Sequence, residues 1–159
     1  MAMSPLRRRL EPAITPLFRA WWRLRRSMTL GVRGIAQDGE GRVLLIRHTY
    51  MDGWYLPGGG VENGETARAA ITREMAEEGG VEALAPPLLV GFYANHAAFR
   101  NDHVALYHLE SWLPCAPTAD GEIAERGFFA LDALPAAASS GTRRRLAEMF
   151  GGAEMSAEW

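Results

Sequence analysis

The sequence predicts a layered α/β domain with one additional helix at its N-terminal end. Three observations predict this fold class. Short segments of strand character (TLGVRGIAQ, RVLLIRHTY, LLVGFYANH, HVALYHLESW and GFFA) interleave with segments of helical period. A glycine-rich turn, WYLPGGG, leads into one of those helical segments, which stops at Gly79-Gly80. The acids of that helix fall on the side that a surface helix normally buries.

Length and composition agree with one compact domain. With 159 residues, 48% of them hydrophobic, the chain can build a single core plus one extra element. No apolar run approaches the roughly 20 residues that span a bilayer. Cys115 is the single cysteine, so no internal disulfide is expected and a reduced cytoplasmic setting is the default. Charge is unevenly spread: residues 1–33 hold eight arginines against Glu11, about +7, which leaves about −9 for the remainder. All 17 basic residues are arginine, which reads as compositional bias and not as chemistry.

Three units follow from reading the elements in order. Residues 1–28 form a basic lead with a short amphipathic helix in PLFRAWWRLRRSM, with Thr15 as N-cap and Pro16 in the first turn. Leu17, Trp21 and Leu24 share one face of it, and Arg19, Arg23 and Arg26 lie elsewhere. Three roles compete for residues 7–26: packing on the domain, a homodimer contact, or contact with an anionic membrane surface or nucleic acid. Residues 29–150 form the domain proper. Its first two strands are joined by the turn DGEG, a hairpin signal. After the glycine turn and its helix come two further strands, linked by a polar loop through Arg100, Asn101 and Asp102. A proline-containing connection leads to the acidic stretch ADGEIAE, then to the strand GFFA, a short helix starting at LDALP and a last helix in TRRRLAEMF. Residues 151–159 are expected to be a loose tail.

The helix after the glycine turn carries the chemistry. At about 100° per residue, Ala67, Ala70, Ile71, Glu74, Glu77 and Glu78 lie within about 60° of one line, and Arg68, Ala69, Thr72 and Ala76 take the opposite face. The inward stripe of small apolar residues therefore runs into three carboxylates. Carboxylates turned inward repel one another and lose hydration, unless cations neutralise them. A hard divalent ion that takes oxygen ligands answers both problems.

The spacing here is G, five residues, E, seven residues, RE, an apolar residue, one residue, EE, one residue, G and an apolar residue. Gly59, Glu65, Arg73, Glu74, Met75, Glu77, Glu78, Gly80 and Val81 fill it without a departure. This pattern resembles the Nudix box, and the resemblance extends over about 120 residues, Thr29 to Phe150, though only the box is specific. It implies the Nudix fold, a mixed β-sheet between α-helices, here with the extra N-terminal basic helix. It also implies a loop-helix-loop that holds Mg²⁺ or Mn²⁺, with Glu74, Glu77, Glu78 and the Gly58 carbonyl as ligands. Glu65 and Arg73 become a supporting ion pair, and Gly59 lets the backbone turn tightly near a bound phosphate.

The implied activity is hydrolysis of a diphosphate linkage in a nucleotide sugar, ADP-ribose or nucleoside triphosphate, a small-molecule nucleotide substrate. Glu74, Glu77 or Glu122 is the base that takes the proton of the attacking water. Glu122 falls where some family members carry a further metal-binding or base glutamate, and Glu125 is a weaker candidate. Arg47 and His48 face the phosphates and Trp54 stacks on the base in this reading, while packing is the simpler account of the aromatic stretch and of Arg33. Marks that name a substrate subfamily are missing: Pro86 and Pro87 follow the box almost at once, and Phe99 stands where a tyrosine is wanted. A Nudix domain that senses a nucleotide metabolite without cleaving it is the alternative, although such domains usually lose box glutamates.

Overall fold

The computed structural model describes residue 21 and residues 27–119 and 121–159. The expected amphipathic helix and basic lead, with their homodimer, membrane and nucleic-acid options, fall outside that range except for Trp21, Ser27 and Met28. The described elements are β1 (Thr29–Ala36), β2 (Val43–His48), α1 (Ala67–Glu77), β3 (Val81–Ala83), β4 (Leu88–Ala94), β5 (Asp102–Leu109), β6 (Trp112–Pro114), β7 (Ile123–Phe129) and α2 (Ser140–Phe150). β5 lies between β1, its parallel partner, and β4, its antiparallel one. β2 pairs with β7 and β3 with β6, both antiparallel.

Side-chain alternation divides the core into two layers. Val32 and Ala36 of β1, Leu44 of β2 and Ala105, Tyr107 and Leu109 of β5 pack with Ala70, Ile71 and Met75 of α1. Their neighbours in sequence, Ile35, Val43, Leu45 and Leu106, pack with Leu146 of α2 on the other side. The period of two along each strand thus feeds one helix on each face, the α/β/α arrangement expected. Thr66 caps α1 by accepting from the Ala69 amide at 3.1 Å, and Ser139 caps α2 by accepting from the Thr142 amide at 3.1 Å. Helix α1 sits close on β1 because Gly34 offers no side chain: a Cβ there would collide with Met75 Sδ. Met75, outside the acidic stripe, is fully buried.

Four expectations need correction. The DGEG turn forms, with the Gly41 amide donating to the Asp38 carbonyl at 3.0 Å, but β1 and β2 share only the single bridge Gln37–Val43. The segment 55–61 wedges between them instead. Ile46 and Tyr55 exchange two hydrogen bonds of 2.9 Å, and β1 donates from Val32 to Gly59 and from Gly34 to Pro57. A hairpin signal reports the turn and says nothing of a later strand that competes for the same edges. The stretch LDALP makes a turn and no helix, since Pro135 comes before a second helical turn can close. The last strand begins at Ile123, inside the acidic stretch, because its partner β2 satisfies its backbone. The tail is not loose at its end: the Trp159 amide donates to the Ala94 carbonyl and the Ala94 amide to the Ala157 carbonyl, each at 2.9 Å.

Candidate active site

The wedge that separates β1 from β2 also delivers the glycine loop to the acidic end of α1. Gly58 has φ +141°, and a Cβ on it would overlap the Val32 carbonyl oxygen, so this position admits only glycine. Its amide donates to Glu78 Oε2 at 2.8 Å, and its carbonyl accepts from Arg33 Nη1 at 2.6 Å. Arg33 Nη1 also donates to the Leu56 carbonyl at 3.0 Å. Gly59 serves by close approach, because a Cβ there would stand 2.5 Å from Glu74 Oε1. The backbone of the loop therefore lies directly against two of the box carboxylates.

Arg73 organises the others. Its Nε and Nη2 donate to the two oxygens of Glu65 at 3.1 and 3.2 Å, and its Nη1 donates to Glu74 at 2.8 Å and Glu77 at 3.2 Å. The Glu65–Arg73 pair that the family resemblance implied is present. The Arg73 hydrogen bond holds the Glu65 carboxyl below its usual range. The Glu62 amide also donates to Glu65, at 3.1 Å, closing the loop onto its own helix.

Glu74, Glu77, Glu78 and Glu122 line one polar cavity of about 430 Å³, with Glu62, Arg73, Thr118 and Ala119 around them. The loop carrying Glu122 is tied to α1, since the Thr118 and Ala119 amides both donate to the Glu77 carbonyl at 3.1 Å. Arg126 Nε donates to the Glu78 carbonyl, another satisfied carbonyl at the helix end. Burial pushes the Glu78 carboxyl up to about 7, with Glu74 and Glu122 adding to the rise and the Gly58 amide and Arg33 opposing it. Burial also raises Glu74, against the pull of Arg73. Two acids at the negative end of a helix dipole, both desolvated, are costly unless a cation joins them.

Among the described residues, no three carboxylates, histidines or cysteines stand together as a ready-made metal centre. Arg73 bridges Glu74 and Glu77 in this arrangement. The donor set nevertheless suits a hard divalent ion: it is all oxygen, it crowds like charge, and it lines one cavity. A cation would take over part of the neutralisation that Arg73 now supplies.

A family model for the NUDIX domain matches residues 28–149. The chain belongs to this family. It is 38% identical over 74 residues to the 8-oxo-dGDP phosphatase NUDT18 of Mus musculus, a match covering 45% of this chain and 22% of that protein. It is 44% identical over 50 residues to the RNA pyrophosphohydrolase of Teredinibacter turnerae, covering 31% and 29%. Each match spans less than a third of the curated relative's length. Among solved structures, the MutT NUDIX hydrolase from Burkholderia pseudomallei superposes with a TM-score of 0.63 at 27% identity, over 74% of this chain and 95% of the other. NUDIX enzymes are generally dependent on divalent metal.

The remaining candidates Arg47, His48 and Trp54 are not among the residues that line the acidic cavity of this NUDIX domain. Arg47 pairs with Glu125 at 2.6 Å across β2 and β7. Glu125 is thereby a surface partner and not a second loop acid of the cavity. His48 is 4% exposed and packs between Tyr50 and Tyr55, with ring centroids at 5.1 and 5.9 Å. Its Nδ1 is buried without a hydrogen bond, and burial, reinforced by Arg33, lowers its pKa. Trp54 packs edge-on against Phe129 at 4.8 Å in the α2 layer of the core, so packing and not base stacking is what its ring does here. Arg33, given a packing role from the sequence, is the cation that faces Glu78 and Glu74 from β1. An arginine in an otherwise apolar strand was the available signal.

Proposed function

We propose that this chain hydrolyses a phosphoanhydride linkage in a nucleoside triphosphate or a nucleoside diphosphate derivative, with a divalent cation held by Glu74, Glu77 and Glu78. The observation that carries this reading is the polar cavity itself, which five glutamates line, three of them from the C-terminal end of α1, and in which burial lifts Glu78 to about 7. A bound Mg²⁺ or Mn²⁺ supplies charge neutralisation at the phosphate oxygens and makes water more acidic. The Gly58 amide and the Arg73 network orient the carboxylates that hold it. Glu122 is the candidate base: it is exposed in the cavity, and among the described residues no cation pairs with it, whereas Arg73 holds Glu74 and Glu77. In this scheme a Glu122 oxygen takes the proton of the water that attacks phosphorus, the P–O bond of the anhydride breaks, and the departing phosphate carries its electron pair. Small nucleotides are the substrate class, and a cytoplasmic setting fits them. Among the described residues no helix is long and apolar enough to cross a membrane.

The test is product release from a panel of nucleoside triphosphates, nucleotide sugars, ADP-ribose and dinucleotides, each with Mg²⁺, with Mn²⁺ and with EDTA. Cleavage of one class that EDTA abolishes is the expected result. Absence of cleavage, with a ligand that raises the melting temperature, would instead favour a nucleotide-sensing domain.

A further inference from the structure

A groove of about 710 Å³ lies between the outer side of α1, with Arg68, Ala69, Thr72 and Arg73, and the turn after β3, with Leu84 and Pro87. We propose that this groove binds an organic anion with an apolar body, held by Arg68 and Arg73, and that the bound anion tightens cation binding at the acids by competing for Arg73. The coupling rests on the assignment of Glu74, Glu77 and Glu78 as the cation site, and the groove itself does not.

Local rules build both walls. Residues 68, 69 and 72 fall on the side of α1 turned from the core, and Arg73 falls on the border between that side and the acids. Opposite them, the Leu84 amide donates to the Ser111 carbonyl at 3.0 Å at the end of the β3–β6 ladder, and Pro86 and Pro87 stiffen the turn that follows. The lining holds two arginines and no acid. Leu84 is 60% exposed, an apolar wall that the core does not use. No ion pair among the described residues uses Arg68. A guanidinium has five N–H donors, and Arg73 gives four to Glu65, Glu74 and Glu77, which leaves one on Nη2.

The chemistry of these walls selects the ligand. An exposed ion pair is worth little in water, so charge alone does not hold an anion here, and an apolar body against Ala69, Leu84 and Pro87 supplies the rest. The volume falls in the range of small-molecule sites, about 300–1,000 Å³. Arg73 lines this groove and the acidic cavity alike. An anion that draws its guanidinium outward weakens its hold on Glu74 and Glu77, and those carboxylates are then freer to take a cation. By linkage, the cation raises the anion's affinity by the same factor.

The experiment follows benzoate binding by NMR titration in EDTA, and Mn²⁺ binding by calorimetry with and without saturating benzoate. Benzoate carries both the charge and the ring, whereas benzamide carries only the ring and acetate only the charge. Benzoate should bind roughly tenfold more tightly than either. Arg68→Gln and Leu84→Ser, both at exposed positions where the fold tolerates change, should each weaken it about tenfold, and Arg42→Gln, in the turn after β1, should not. Saturating benzoate should lower the Kd for Mn²⁺ about fivefold in the parent and leave it unchanged in Arg68→Gln. No benzoate binding by the parent, equal affinity in the parent and both groove variants, or an Mn²⁺ shift that is absent from the parent or as large in Arg68→Gln, overturns the inference. If the parent binds no Mn²⁺ but its benzoate binding depends on Arg68, the cation assignment fails and the groove site stands.

Discussion

Glu78→Gln is expected to lower turnover by about a hundredfold or more while leaving the fold intact. Even the outer partners of metal ligands typically contribute about 10–100-fold, and Glu78 is the most deeply buried carboxylate of the cavity, 6% exposed. Glutamine keeps the side chain's length and can still accept from the Gly58 amide, so packing survives. Stability should move the other way. The folded-state pKa of Glu78 is raised, to about 7 from 4.5, so the folded protein binds a proton that the unfolded chain releases between those values. Its contribution to stability is therefore fully present below about pH 4.5 and is lost as pH rises through 7, a difference of roughly 3 kcal/mol. In EDTA, the melting temperature of the parent should fall across that window through this group, and Glu78→Gln should remove that part of the fall. Calorimetric melting curves at pH 5 and pH 8 check it, and equal slopes in the two proteins would contradict it.

Gly58→Ala is expected to destabilise the chain by roughly 2–4 kcal/mol, combining a backbone angle closed to other residues with overpacking. The added methyl meets the Val32 carbonyl, part of β1 and unable to swing aside. Relief by moving the loop would draw the Gly58 amide from Glu78 and its carbonyl from Arg33, so activity should fall with stability. Gly60→Ala is the control, because a Cβ there meets nothing within 4 Å. Urea unfolding midpoints of the two variants decide the matter, and equal midpoints would show that the loop is not pinned as described.

What the sequence revealed and what it hid follow from the range of the interactions concerned. Helix α1 and its acids were legible because a helix places residues 74, 77 and 78 by local geometry alone, while the Glu65–Arg73 pair came from the family resemblance. Strands β1, β2, β4, β5 and the second half of β7 were legible from their residue pattern, and the three-residue β3 and β6 were not. The pairing of the strands was not legible either, since the wedge of residues 55–61 between β1 and β2 is a long-range competition that no local period encodes. The same holds for β3 with β6, for Trp54 and for the tail: Trp54 meets Phe129 and Trp159 meets Tyr93 across the fold. Arg33 was visible as an odd residue in an apolar strand, and only the folded loop shows that it faces the acids.

Binding of Mn²⁺, followed by paramagnetic resonance or calorimetry in the absence of any nucleotide, tests the central claim without first knowing the substrate. The parent chain should show saturable binding that weakens as pH falls below about 7, where Glu78 takes up its proton. Glu78→Gln should lose most of that affinity. Equal Mn²⁺ affinity in the two proteins, or none in the parent at pH 8, would contradict the assignment of the α1 carboxylates as the metal site.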